Sequence, residues 1–479
     1  MRKNRILDTD SYKTSHYLQY PPDTERVFSY LESRGSERDW QRCLFFGLQY
    51  VLKEFFQDPI SYDEFYEAAA IVPRHGVPFN NEGWLKLIEK HHGRLPLRIR
   101  AVPEGSIIPL NNALMTVENT DPEFFWLTSY FETILMRLWY PITVATQSYY
   151  LKKLIYKYLE KSSDDPSNEI LFKLHDFGAR GVSSGESAAI GGAAHLVNFR
   201  GTDTIVAMRL LRHYYNHEIS AYSIPAAEHS TMTSWGREHE VDAYRNMLKQ
   251  YARPGALVAV VSDSWDIYNA VEHIWGEILR QEIIDSGATV VIRPDSGDPE
   301  TVVSKVMNLL AEKFGTIENS KGYKVLQNVR VIQGDGVNPD SIEVILRSLE
   351  AQGLSATNIA FGMGGALLQK VDRDTLKFAF KCSAIMRRGE WQDVYKDPVT
   401  DPGKRSKRGR LDLLKHVDDA GNFAYETIRL DEVERDDTGR SSAMQTVFLD
   451  GEIQYAADES LEAIRERSSR EFTAAAVPA

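Results

Sequence analysis

The middle of this chain repeats one kind of unit, and that repetition constrains the fold more than any other feature. A short apolar run ends in a loop rich in Asp, Arg, Gly or His, and a helical pattern follows. The runs are EILFKLHDFGARG, ending near Asp176; AYSIPAAEHS, near Pro225; ALVAVVSDSWD, near Ser262; ATVVIRPDSGDP, near Arg293; VRVIQGDGVNP, near Gln333; and NIAFGMGGA, near Phe361. Val258–Val261 and Val290–Ile292 are apolar without alternation, as strands buried on both faces read. The helices between them carry start signals. Ser183 and Glu186 form a possible capping box opening a helix through to Val197. Asp298-Pro299 and Asn338-Pro339 read as N-cap plus first helical residue. From about Asp266, Ile267, Val271, Ile274 and Ile278 fall on one helical face.

Alternating strand and helix units predict an α/β fold: a parallel sheet closed into a β/α barrel, with an open doubly wound sheet as the alternative. In such a barrel chemistry sits at the C-terminal ends of the strands. The polar and Gly-rich residues stand at those ends in all six units, which points to an enzyme. The flanks differ. The N-terminal flank is aromatic-rich, and the C-terminal one holds TVFLDGEIQY, a hairpin with Asp450-Gly451 at its turn, then a polar helix from about Glu459. We expect residues 1–160 plus 385–479 to form one discontinuous β-rich α+β domain, and 161–384 the catalytic barrel.

Each strand end has a functional reading and a plain one. In FGMGGALLQK, Gly362, Gly364 and Gly365 let the backbone approach a ligand, and the helix start favours an anion; the plain alternative is a tight turn. In QGDGV, Asp335 between glycines suits ribose hydroxyls or a metal-bound phosphate; the alternative is local turn bonding. Arg293 offers a planar fork and Asp295 an acceptor; the alternative is an ion pair that holds the loop. His229 stands just after a strand beside Glu228, with Asp263 and Asp266 at the next strand end. A carboxylate orienting its ring would free the other nitrogen to attack a phosphoryl group, against the alternative of an ordinary satisfied histidine. His229, Asp263, Asp266, Arg293 and Asp295 are the candidate catalytic set. HDFGARG contains a kinase-like DFG, but the Gly-rich loop lies downstream of it and no HRD-like loop precedes it, so the kinase reading fails. Phe177 suits stacking on a planar ring, or core packing, and Arg180 suits a phosphate.

The run GKRSKRGR holds five basic residues in eight. Its readings are nuclear localisation or nucleic-acid contact, a solvated loop, or phosphate contacts from Lys396, Lys404 and neighbours. A net charge of −12 disfavours nucleic acid. Two cysteines exclude a disulfide framework and a Cys-rich zinc site, and suit a reducing compartment. The basic N-terminus has no apolar run behind it, and no stretch approaches the ~18 apolar residues of a membrane span. The expectation is a soluble cytoplasmic protein without membrane or nucleic-acid partners.

Taken together, TDSYKTSHYLQYPP, VENTDPEFFWL, WYPITVAT, LHDFGARGVSS, AHLVNFRGTDT, PAAEHST, VVSDSWDIYNA, IRPDSGDP, RVIQGDGV, FGMGGALLQK, FKCS and KDPVTDPGKRSKRGR resemble the nicotinamide phosphoribosyltransferases, in family order. The resemblance implies a type II phosphoribosyltransferase fold, an irregular α/β barrel with a β-rich domain, working as a homodimer with shared active sites. It implies nicotinamide, phosphoribosyl pyrophosphate and ATP as substrates, with Mg²⁺ on the pyrophosphate. Phe177 and the partner subunit's Tyr12 would sandwich the pyridine ring. Asp203 would accept from the carboxamide NH₂ and Arg293 would meet its oxygen. Asp295 and Asp335 would hold ribose hydroxyls. Arg180, Gly334, Gly364 and Gly365 would lie along the phosphate, with Ser262 among the substrate-binding residues. Arg373, Lys381, Lys396 and Lys404 would bind pyrophosphate or ATP phosphates, partly across the dimer. His229 resembles the family's self-phosphorylated histidine. Ala179, Trp265, Met363 and Ala379 depart from the pattern; a lost hydroxyl at Ala379 weakens one expected phosphate contact. The rivals are a nicotinate phosphoribosyltransferase, against which Asp203 argues, and a non-catalytic binding protein on the same fold.

Overall fold

A computed structural model describes residues 3–219, 221–400, 405–417, 423–433, 440–454, 456 and 458–476. Two compact units emerge: residues 1–146, 211–218 and 372–479, and residues 147–210 with 219–371. The boundaries differ from the expected 160/161 and 384/385 for identifiable reasons. Strand Phe378–Arg387 pairs along its length with Thr24–Ser33, which draws the C-terminal boundary back to 371/372. Tyr215 is buried, stacks on Phe46 at 5.1 Å and donates to Glu104 at 3.4 Å, which places Leu211–Glu218 in the first unit. The other boundary, 146/147, falls inside the helix Trp139–Ser162.

In the first unit the two chain flanks share one antiparallel sheet. Its order is Glu390–Asp393, Phe378–Arg387, Thr24–Ser33, Ala113–Asn119, Leu97–Ala101, Gln445–Leu449 and Glu452–Ile453. The last two strands form the anticipated hairpin. Asp450 and Gly451 both take positive φ (51° and 84°), the twist a two-residue hairpin requires.

The second unit holds six parallel strands in the order Gly201–Thr202, Leu174–Asp176, Ile359–Met363, Val329–Gln333, Thr289–Arg293 and Leu257–Val261. The segment 221–227 joins the two edges. Tyr222 bridges Gly201 and Ala226 bridges Ala259, both in parallel sense. Tyr222 N–H donates to Arg200 O at 2.8 Å, and Ala259 N–H to Pro225 O at 2.9 Å. The sheet therefore closes into a barrel rather than remaining open. Pro225 has no N–H to give, so this seventh member makes bridges at its ends rather than a continuous ladder. Ala259, Val291 and Ile332 meet inside, with Phe177, Ile224 and Ala360 against them. The alternating Val258, Val260, Val290 and Ile292 are fully buried on the other face, as the unbroken apolar runs predict.

The helix starts largely follow their signals. Asp298 caps Pro299–Phe314 by accepting from Thr301, and Asn338 caps Pro339–Ala351 through a capping box. Two expectations are corrected. The cap of Gly185–His195 is Ser184, accepting from Ser187, rather than Ser183. The helix after Asp266 turns to π winding over Ala270–Ile278, with Leu279 N–H reaching Ile274 O. The wider turn rotates Ile278 off the apolar face, leaving it 53% exposed while Ile267, Val271 and Ile274 are buried.

Candidate active site

A cavity of about 680 Å³ runs inside the barrel. Apolar side chains line its middle, Ala259, Val291, Ile332 and Ala360 among them, and Phe177, Asp203, Ser223 and Arg293 line the end formed by the strands' C-termini. Towards the other end are Lys173 and Arg330, both held below their usual pKa by burial.

Phe177 follows the strand Leu174–Asp176, and its N–H donates to Met363 O at 3.0 Å. Its ring lies against Gly362, where a Cβ would come 1.9 Å from Cε2. Gly362 is thus small to seat an aromatic ring, not to admit a phosphate. A Cβ on Gly334 would meet the same ring at 3.4 Å and Asp295 Oδ1 at 3.3 Å. The exposed Asp203 has its N–H on Asp176 O at 2.9 Å, and its Oδ1 accepts from Ser223 Oγ at 2.6 Å. Arg293 Nε lies 3.6 Å from Asp295 Oδ1; it is buried and has no hydrogen-bond partner among the described residues. A ligand oxygen at the cavity end would satisfy it.

His229 opens the short helix His229–Thr233. Its Nε2 is 2.8 Å from Asp263 Oδ1, and its Nδ1 is 3.9 Å from Asp295 Oδ2. Asp263 is almost fully buried, and its other oxygen accepts the Asp295 N–H at 3.2 Å. One carboxylate therefore fixes both the imidazole and the Arg293–Asp295 loop. Glu228 caps the His229 helix instead of orienting the imidazole. Asp266 is not among the carboxylates within 4 Å of His229; it caps the next helix, accepting from Tyr268 at 2.9 Å and Asn269 at 3.1 Å. Ser262 is fully buried, its hydroxyl donating to Val260 O and accepting from Trp275 Nε1, both at 3.0 Å, so it braces the strand end rather than facing a ligand.

Gly364 precedes the short helix Gly365–Leu368, and a Cβ on Gly181 would sit 3.3 Å from Gly365. The exposed Arg180 is thereby carried beside the Gly364–Gly365 turn. Asp335 is exposed, with its carbonyl taking Gln333 Nε2 at 2.7 Å.

The remaining expected residues belong to the first unit. Tyr12 is 57% exposed on the 3₁₀ helix Ser11–Leu18. Lys381 is half-buried and held below its usual pKa by burial, opposed by Glu132, with the charges of Arg34, Lys396 and Lys13 adding to the lowering. Lys396 is exposed, as is Arg373, which pairs with Asp374 at 3.1 Å. Lys404 lies outside the described residues. Sequence reasoning passed over Arg34, whose buried Nη2 has no hydrogen-bond partner among the described residues. It also passed over Ser223 and Asp176. A lone Ser or a strand-terminal Asp carries no spacing signal; strand register brings Asp176 beside Asp203, and the bridge between Gly201 and Tyr222 brings Ser223.

Comparison with known proteins gives this geometry a family. Residues 172–452 match the nicotinate phosphoribosyltransferase (NAPRTase) family, and residues 4–99 the N-terminal domain of nicotinamide phosphoribosyltransferase. A nicotinamide phosphoribosyltransferase of Xanthomonas campestris is 58% identical over 94% of this chain and 95% of its own. The chain belongs to the nicotinamide phosphoribosyltransferase family. It is an enzyme, a pentosyltransferase of pyridine phosphoribosyl transfer. The fold agrees with two solved structures at 14% identity. Pyrococcus furiosus nicotinate-nucleotide pyrophosphorylase has a TM-score of 0.64, over 100% of this chain and 99% of that one. Human nicotinic acid phosphoribosyltransferase has a TM-score of 0.62, over 97% and 93%. Within this nicotinamide phosphoribosyltransferase-family barrel, Phe177, Asp203, Arg293 and Asp295 gather at one end of the cavity, with His229 beside them.

Proposed function

We propose that the protein transfers the 5-phosphoribosyl group of phosphoribosyl pyrophosphate to the ring nitrogen of nicotinamide. The products are nicotinamide mononucleotide and pyrophosphate, and the pathway is NAD salvage. The observation that carries this reading is Asp203, a carboxylate at the cavity end with one oxygen held by Ser223 and the other left for a ligand. A carboxylate accepts from a carboxamide NH₂ and repels the carboxylate of nicotinic acid. Arg293 supplies the donor for the carboxamide oxygen, and Phe177 a face for the ring. Asp295 and Asp335 take the ribose hydroxyls; Arg180 and the Gly334 and Gly364–Gly365 turns take the phosphate.

The pyridine nitrogen attacks C1 with inversion as pyrophosphate leaves, through an oxocarbenium-like state. The chain's work is to place the ring and to stabilise charge. Mg²⁺ would supply charge neutralisation on the pyrophosphate, and the exposed Asp335 is a strand-end carboxylate that would help to hold it. Asp263 accepts the Nε2–H of His229 and leaves the Nδ1 lone pair to attack the γ-phosphorus of ATP, with ADP leaving. Hydrolysis of the resulting phosphohistidine makes nucleotide formation more favourable. In a homodimer the partner subunit's Tyr12 completes the ring sandwich. Lys381, Lys396, Arg373 and Lys404 meet the phosphates. We place the enzyme in the cytoplasm; among the described residues no helix is long and apolar enough to cross a membrane.

The test is product formation by the purified protein from phosphoribosyl pyrophosphate and Mg²⁺, with nicotinamide or nicotinic acid, each with and without ATP. Product from nicotinamide alone among the bases, increased by ATP, is expected. Product from nicotinic acid instead keeps the reaction and overturns the role of Asp203. No product from either base, with folded protein, leaves a binding protein.

A further inference from the structure

Asp176 ends the strand Leu174–Asp176 and is fully buried, so it touches no ligand. It nevertheless bonds to both walls of the candidate base pocket. One carboxylate oxygen accepts the Gly178 N–H at 2.7 Å, which fixes the turn on which Phe177 stands. The other lies 3.4 Å from the Thr202 hydroxyl, and that hydroxyl accepts the Thr204 N–H at 2.9 Å. Thr202 and Thr204 flank Asp203 in sequence, and Asp203 itself donates its N–H to the Asp176 carbonyl at 2.9 Å. A Cβ on Gly192 would sit 3.0 Å from the Asp176 carboxylate, so the helix Gly185–His195 closes over it and leaves no space for water at that point. Bonds in such a site are strong and their loss is costly.

We propose that Asp176 is a positioning residue for the pyridine base. By holding the Phe177 turn and the Asp203 loop together, it sets the separation between the stacking ring and the carboxylate that reads the carboxamide. This rests on the reading that Phe177 and Asp203 hold the base. Among the described residues Asp176 makes no hydrogen bond with Asp335 or the Gly364–Gly365 turn, and its bond to Gly178 reaches Arg180 only through the Ala179–Gly181 turn, so its loss acts more on the base than on phosphoribosyl pyrophosphate. A general weakening of the fold would raise both Michaelis constants together.

The test is steady-state kinetics of the full-length enzyme with both substrates varied, on Asp176→Ala, Asp176→Asn and Thr202→Val, beside Phe177→Ala and Asp203→Ser. Asp176→Ala is expected to raise the nicotinamide KM at least about tenfold and to leave the phosphoribosyl pyrophosphate KM within about twofold. Asp176→Asn keeps an oxygen for Gly178 and is expected to recover most of that loss. Thr202→Val, which removes the bond to Asp176 and the one from the Thr204 N–H, is expected to raise the nicotinamide KM about threefold. An unchanged nicotinamide KM in folded Asp176→Ala, or an equal rise in both constants, overturns the proposal. Should Asp176→Ala not fold, Thr202→Val decides by the same criteria. If Phe177→Ala and Asp203→Ser leave the nicotinamide KM unchanged, the base reading falls and this proposal with it. If they raise it while Asp176→Ala does not, only the positioning role falls.

Discussion

On the proposed reading, the choice of base comes down to one carboxylate in a tight arrangement. Asp203 is bonded through Oδ1 to Ser223 and through its N–H to Asp176, so on that reading it would meet an incoming carboxamide without reorganising. Replacing it with Ser removes the repulsion against nicotinic acid. Competition assays on Asp203→Ser are expected to show the preference for nicotinamide reduced by about tenfold or more, equivalent to at least about 1.4 kcal/mol. His229 gives a second prediction. With [γ-³²P]ATP the native enzyme is expected to acquire acid-labile phosphate, and His229→Ala none, while His229→Ala still forms nucleotide without ATP stimulation. Away from the site, the buried Glu104 is pushed from 4.5 up to about 7, chiefly by burial and opposed by the Gln49 N–H. Its folded pKa exceeds its unfolded one, so the folded state binds the extra proton between those values. Stability then falls as pH rises from about 4.5 to 7, by roughly 3 kcal/mol at this site. Urea unfolding across that range is expected to show the decline, and Glu104→Gln to flatten it.

At the scale of elements, local sequence rules served where a backbone group and one side chain settle the matter, as at Asp298-Pro299, Asn338-Pro339 and Asp450-Gly451. They misassigned residues whose neighbours come from other strands. Asp266 looks like a partner for His229 but caps its own helix; Ser262 looks like a ligand contact but is spent between Val260 and Trp275. Gly362 looks like part of a phosphate loop but makes room for Phe177. A methyl group there collides with the ring, whereas its backbone φ carries no strain, so the effect of Gly362→Ala isolates the ring's seat. We expect a loss of about 1–3 kcal/mol of stability by thermal or urea unfolding, and at least a tenfold rise in nicotinamide KM. An unchanged KM would show that the ring's position does not govern base binding.

Across the molecule, the repeating strand–loop–helix unit was enough to place the polar and Gly-rich residues at one end of a parallel barrel. The closure itself depends on 221–227, where Pro225 interrupts the ladder, and on the two-residue strand Gly201–Thr202, too short to stand out in any sequence window. The proposed shared site makes its own prediction. If the partner subunit's Tyr12 completes the ring sandwich around Phe177, then Tyr12→Ala and Phe177→Ala enzymes, each with little activity at the nicotinamide concentration that half-saturates the native enzyme, regain activity there when unfolded together and refolded. Random pairing makes half the dimers mixed, each with one intact site, so about a quarter of native activity is expected. No recovery would mean that each subunit builds its site from its own residues.

The sequence by itself determined the fold class and the strand ends at which polar and Gly-rich residues gather, because strand burial, helix caps and Gly-rich ends are local signals. It also carried the family. Tertiary structure alone decided which carboxylate serves which purpose. Asp176, Asp263, Asp266 and Asp295 are indistinguishable by local pattern, yet one braces the two walls of the base pocket, one holds the imidazole, one caps a helix and one stands beside Arg293. A side chain's chemistry is set by the atoms within hydrogen-bonding reach, and at these strand ends most of those atoms arrive from elsewhere in the chain.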